Sequence, residues 1–181
     1  MDSSSRAVSP VLSTIMMVAI VVILAATVSV FSLGFADDIT RPGPLVGQSS
    51  GELVKDEPGS DDQIVRITHV AGDTLTVSNL EIAVDAGDAC GKQSRIVNLP
   101  TNYIGDRFGG KNQLGDDIIV DSSPDGGQLD TSADGIWTAG ETAIFRLAST
   151  ECRLENGDTV TVRVVHMPTN SVVIKETLTA T

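Results

Sequence analysis

The hydrophobic and polar positions divide the chain into two regions with different grammar. From Val8 to Phe35 no residue is charged, and from Val11 to Leu33 there is neither Gly nor Pro. Those 23 residues reach about 34 Å as a helix, enough for a hydrocarbon core of about 30 Å. Much of the run is β-branched (Val18, Ile20, Val21, Val22, Ile23), which in water favours strand. In lipid the backbone must satisfy its own hydrogen bonds, so helix is expected over 8–35. Pro10 is expected in the first turn with Ser9 as its cap. Residues 36–62 read as a linker, because Arg41-Pro42-Gly43-Pro44 breaks the helix and small, polar or charged residues follow. Beyond it come short β runs between turns: 64–68, 75–77, 80–84, 96–97, 118–120, 142–147, 159–167 and 171–179. Val160, Val162 and Val164 alternate with Thr161, Arg163 and Val165, the period-two pattern of a half-buried strand. Strands at this spacing predict an all-β, immunoglobulin-like sandwich head over 63–181.

Charge sharpens this picture. The chain has 181 residues and a net charge of −12, which suits one folded domain plus an apolar segment. Beyond residue 36 there are 11 Lys and Arg against 23 Asp and Glu. A nucleic-acid partner is therefore excluded, since a phosphate binder needs a basic patch. An Asp-rich, Lys-poor surface is also the composition of proteins from high salt, where screening removes the repulsion. Aromatic residues make up 3%, which argues against an aromatic-lined cofactor pocket. Cys90 and Cys152 lie too far apart for a C-x-x-C redox or metal spacing. On an exported head they are expected to pair, closing a loop worth roughly 4 kcal/mol by chain entropy. Two buried free thiols are the alternative.

Arg6 before the apolar run and Asp37-Asp38 after it place the N-terminus in the cytoplasm and the head outside. Three readings compete for the segment itself. A cleaved signal peptide could use Gly34-Phe35-Ala36, but the apolar run is about twice the usual length and the leader carries Asp2. A permanent anchor for a surface domain is the plainest reading. The third comes from the residues that precede the run.

The start Arg6-Ala7-Val8-Ser9-Pro10-Val11, followed by the uncharged stretch, resembles the N-terminus of archaeal type IV pilins, the haloarchaeal ones especially. The likeness covers about 30 residues and is loose beyond them, where only G-D turns such as Ala71-Gly72-Asp73-Thr74 agree. It implies cleavage between Ala7 and Val8 by a membrane-embedded prepilin peptidase, so that 1–7 is a leader and 8–35 stays on the mature protein as membrane span and filament core. It further implies a pilus-assembly ATPase and membrane platform as partners, the chain itself as partner in a homopolymeric filament, and roles in adhesion and biofilm formation. Bacterial type IV pilins carry Glu at the fifth mature position. Here that position is Leu12, a departure common among archaeal pilins.

The segment holds 17 large apolar residues, each worth roughly 1.5–3 kcal/mol when buried, so a free subunit could not leave the membrane for water. Helix-to-helix packing would cover that surface, using the small residues Ala19, Ala25, Ala26, Ser29 and Ser32 for close approach. The rival reading from another class is a membrane-tethered extracellular binding domain that never polymerises; a minor pilin or archaellin-like subunit is a further one.

Within the Gly-, Asp- and Ser-rich stretch 105–140, Asp130, Ser132, Asp134, Gly135 and Glu141 have the one-three-five-six-twelve spacing of a calcium loop. The flanks are strand-like, and an ordinary solvated acidic turn is the expectation preferred. His69 and His166 each sit alone in a strand run and read as structural. Phe108-Gly109-Gly110-Lys111 lacks the spacing of a phosphate cradle, and no Ser–His–Asp grammar is present. No enzymatic activity and no cofactor are expected, and there is no N-x-S/T sequon.

Overall fold

The computed structural model describes residues 5–39, 43–54, 62–102, 112–120 and 127–181, with side chains along the N-terminal helix described over 11–29. Two compact units make up the chain, Met1–Pro42 and Gly43–Thr181.

The first unit contains one helix, α1, Ser5–Ile39. It starts before the uncharged run and ends after it. The backbone is helical through Ser9 and Pro10, which corrects the expectation of a helix capped by Ser9 and opened at Pro10. A proline has no N–H, so its position here leaves only the Arg6 carbonyl without the donor four residues on. Thr14, Thr27 and Ser29 turn their hydroxyls back to the carbonyls of Val11 (2.9 Å), Leu24 (2.8 Å) and Ala25 (2.8 Å). Every polar side chain between Val11 and Ser29 is thereby satisfied inside the helix except Ser13, which stands in the first turn of that stretch.

Among the described residues, the second unit has eleven strands: β1 (Val46–Val54), β2 (Asp62–Gly72), β3 (Leu75–Thr76), β4 (Leu80–Ala86), β5 (Lys92–Ile96), β6 (Gln113–Gly115), β7 (Ile119–Val120), β8 (Ile136–Trp137), β9 (Thr142–Ala148), β10 (Thr159–His166) and β11 (Ser171–Thr179), with a short helix α2 (Gly87–Cys90) between β4 and β5. One sheet runs β1-β2-β9-β7 and the other β11-β10-β4-β5-β6, while β3 and β8 form a small separate ribbon. All pairs are antiparallel. Taken in chain order and leaving the ribbon aside, these are the A-B-E-D and G-F-C-C′-C″ sheets of a variable-type immunoglobulin sandwich.

The alternation seen in the sequence decides which face of each strand is inward. Ala143, Phe145 and Leu147 of β9 and Val65 and Ile67 of β2 meet Ile82, Val84, Val160, Val162 and Val164 of the facing sheet in one core. Trp137 and Phe145 are its largest fully buried side chains. Each large apolar residue so buried contributes about 1.5–3 kcal/mol.

β1 lies inside the stretch 36–62 that reads as a linker, and this corrects that boundary: the folded head has already begun at Val46. The strand was hidden because its sequence, VGQSSGELV, does not alternate and buries only Leu53 fully. Its backbone ladder to β2 holds it instead. Gly51 lets it lie close to β11, since a Cβ there would run into the side chain of Leu178 and press on Ile67. Ser49 donates a hydrogen bond to the Glu176 carboxylate and closes the same edge. Residues 55–61 of the expected linker, and Phe108-Gly109-Gly110-Lys111, lie outside the described residues.

Candidate functional site

The chemistry of this chain is concentrated in a helix with no water-compatible side. Between Val11 and Ser29 every residue is exposed within its own chain, and the large apolar ones are 57–70% accessible. This stretch is long and apolar enough to cross a membrane. Backbone polarity is consumed in the helix ladder and the hydroxyls of Thr14, Thr27 and Ser29 in the local bonds already described, which leaves Ser13 as the one polar side chain of the stretch without such a bond. At about 100° per residue, Ala19, Ala25, Ala26 and Ser29 fall within about 120° of the helix surface. Opposite them stand Met17, Leu24 and Val28. The small residues thus recur on one side of the helix, an arc that they share with Val11, Ile15, Val18 and Val22. Arg6, Ala7, Val8, Ser9, Pro10 and Ser32 belong to the helical backbone, but their side chains lie outside the described residues.

Cys90 and Cys152 are joined in a disulfide with Cα atoms 5.6 Å apart. The bond ties α2, after β4, to the connection between β9 and β10. It is not the cross-core bond between the second and penultimate strands that antibody domains use. Here the inward positions of β2 and β10 are Gln63, Val65, Ile67, His69, Val160, Val162 and Val164, none of them a cysteine. The same connection is held from the other side by Gln63. Its amide donates to the Cys152 carbonyl (2.8 Å) and accepts from the Leu154 N–H (2.7 Å). Gln63 is 1% exposed and was not legible as important in the sequence, where it is one polar residue at the start of an apolar run. Lys92 and Glu151 add a surface ion pair of 3.0 Å beside the disulfide.

The residues with calcium-loop spacing are not brought together as ligands. Asp130 accepts a hydrogen bond from the Ser132 N–H at 2.7 Å, and Asp134 from the Ile136 N–H at 3.1 Å. Glu141 accepts from both the N–H (2.6 Å) and the hydroxyl (2.8 Å) of Thr138. Each carboxylate braces its own turn, the usual local bonding of Asp and Ser in loops. Among the described residues, no three His, Cys, Asp or Glu side chains are grouped to hold a metal.

His69 is fully buried and meets Trp137 edge to face, with ring centroids 6.4 Å apart. The indole N–H donates to the Glu141 carbonyl at 2.9 Å. His166 pairs through Nδ1 with the Thr169 hydroxyl at 2.7 Å, in the β10–β11 turn. The two imidazoles sit with apolar or hydroxyl neighbours, and neither has a nucleophile or carboxylate arranged about it among these contacts.

The arrangement offers two things: an apolar helix able to be buried on all sides, and a head braced by a disulfide and by local turns. The match with known proteins falls on the first of these. Residues 6–44 match the family model described as archaeal type IV pilin, N-terminal. A search of the curated proteins finds no match for the chain.

Proposed function

We propose that this chain, which carries the N-terminal domain of the archaeal type IV pilins at residues 6–44, is a structural subunit that polymerises through α1 into an extracellular filament. The observation that carries this reading is that α1 is uncharged and predominantly apolar over 11–29, with three of its four hydroxyls closed onto its own backbone. Such a helix is as well suited to lipid as to the interior of a bundle of its own copies. It waits in the membrane and is then reburied against other helices, with little polarity to repartner in between. The small residues Ala19, Ala25, Ala26 and Ser29 allow close approach of neighbouring helices at their own positions, and association in lipid must come from such packing rather than from the hydrophobic effect.

Pro10 supports cleavage between Ala7 and Val8. In the uncut chain its missing N–H leaves the Arg6 carbonyl unpaired within the helix, a defect of the kind that costs about 3 kcal/mol in a helix interior. Removal of residues 1–7 takes that carbonyl away. Pro10 then stands third in the mature chain, in the first turn, where N–H groups have no helical partner in any case. Prepilin peptidase, an assembly ATPase and a membrane platform are the partners this reading requires, with the N-terminus cytoplasmic and the head outside. Adhesion and biofilm formation are the roles that the pilin resemblance adds.

Intact-mass and N-terminal peptide analysis of surface-sheared material tests the proposal. A mature chain starting at Val8 is expected, with Ala25→Leu/Ser29→Leu abolishing recoverable filaments while the head remains folded. A chain that keeps Met1 and is recovered only from membranes would instead support the tethered binding domain.

A further inference from the structure

The strands and the segments between them carry opposite charge balances. Among the described residues of the head, the strands hold six cations (Arg66, Lys92, Arg95, Arg146, Arg163, Lys175) and five carboxylates. The described segments of the head outside the strands hold one cation, Arg153, and ten carboxylates. Sheet register then places three of the strand cations in one line. Lys175 lies opposite Arg163, Arg163 opposite Ala83, Ala83 opposite Arg95, and Arg95 opposite Leu114. The line crosses all five strands on the outer face, because Ile82, Val84, Ile96, Val162, Val164 and Ile174 fill the inner one.

Two features of this row have no use within one molecule. Arg163 and Lys175 are like charges placed directly opposite each other, an arrangement that destabilises a sheet. Lys175 is exposed and makes no ion pair among the described residues. Ala83, between two arginines, leaves a groove of about 360 Å³ whose sides are Arg163, Asp85, Gln93, Arg95 and Leu114. Asp85 and Glu81 lie 3.6 Å and 3.3 Å from the two guanidinium groups. Each contact occupies part of a five-donor fork, orienting the group and leaving N–H donors directed to solvent.

We propose that the row Lys175–Arg163–Ala83–Arg95 is a docking surface for acidic inter-strand segments of a second copy of this chain. Charge complementarity selects that partner: the same head that shows this cationic row on a sheet face carries ten carboxylates in its described segments outside the strands. Two acidic surfaces of identical subunits repel, whereas a sheet face against a neighbour's inter-strand segment attracts. A contact of this type is heterologous and propagates from copy to copy instead of closing a dimer. The inference rests on the filament reading and adds to it a contact between heads that fixes how neighbouring heads are oriented.

Filaments assembled from a mixture of isotopically light and heavy full-length chains, treated with a zero-length carbodiimide, test it. Cross-linked peptides joining Lys175 of one copy to an Asp or Glu outside the strands of another are expected, and are expected to vanish in Lys175→Gln. The double variant Arg163→Glu/Lys175→Glu should give roughly three- to tenfold less filament, the scale of losing and reversing two surface charge contacts per interface. Arg163→Gln/Lys175→Gln should give an intermediate loss, and circular dichroism of each variant checks the fold. Parent filaments in which Lys175 links to no second copy, with both variants assembling at parental yield, would overturn the docking surface and leave the filament reading intact. Charge-dependent retention on an anionic polysaccharide without any inter-copy link would likewise overturn it and assign the row to adhesion. A parent chain that builds no filaments at all would remove the filament reading itself.

Discussion

Removing the Cys90–Cys152 bond should destabilise the head by an amount that follows from chain length alone. The two residues are 62 positions apart. The chain-entropy relation gives a loss of about 14 cal/mol/K for a loop of that size, or about 4 kcal/mol near room temperature. Unfolding entropy of about 2.1 cal/mol/K per residue, over a unit of about 140 residues, converts this to a fall of about 14 °C in Tm. Cys152 is 1% exposed, so a Cys90→Ala/Cys152→Ala pair also leaves a small buried gap, which costs on the order of 1 kcal/mol more. The measurement is a thermal and urea melt of the fragment Gly43–Thr181, a compact unit with its own core. An entropic origin predicts that parent and variant unfold with similar enthalpy at a common temperature while their midpoints differ. A Tm change under about 3 °C would refute the reasoning. It would mean that Gln63 and the Lys92–Glu151 pair already hold the connection, or that the unfolded chain is not free to expand.

Two further outcomes follow from particular side chains. Gln63→Leu leaves the Cys152 carbonyl and the Leu154 N–H buried without partners; at about 1–3 kcal/mol for each unpaired group, the urea midpoint should fall clearly with little change in slope, whereas Gln63→Glu should restore only the bond to Leu154. Added calcium or a chelator should leave the Tm of the head within about 1 °C, because Asp130, Asp134 and Glu141 are bonded to their own turns, while Glu141→Ala should cost about 1–2 kcal/mol through the two bonds to Thr138; calcium stabilisation abolished by Asp134→Ala would reverse that assignment.

What was legible in the sequence was whatever neighbouring residues settle among themselves. β9 and β10 could be read because their inward residues alternate without interruption, and each strand was found within a residue or two. β1 could not. Its burial follows from lying between β2 and the edge of β11, whose residues are distant in the sequence, and its own composition of Gly, Gln and Ser carries no pattern. β6 and β8 escaped for a related reason, since strands of three and two residues are too short for any period to show. Pro10 misled in the opposite direction. A proline near an expected helix start reads as the start, yet the helical backbone begins at Ser5; only in the proposed chain cut after Ala7 would Pro10 stand in the first turn.

The sequence by itself determined the apolar helix, the junction before it and the character of the head as a β fold. These depend on residue-by-residue hydrophobicity and on periods of a few residues. Only the tertiary structure decided the order of strands in the two sheets, the place of the disulfide, and the role of Gln63. It alone showed that the calcium-spaced carboxylates serve their own turns. The line of Lys175, Arg163 and Arg95 is the sharpest case: these residues are far apart along the chain and become neighbours only when antiparallel register aligns β11, β10, β4 and β5. Register is set by which faces of the strands are buried, and that is decided across the core rather than along the chain.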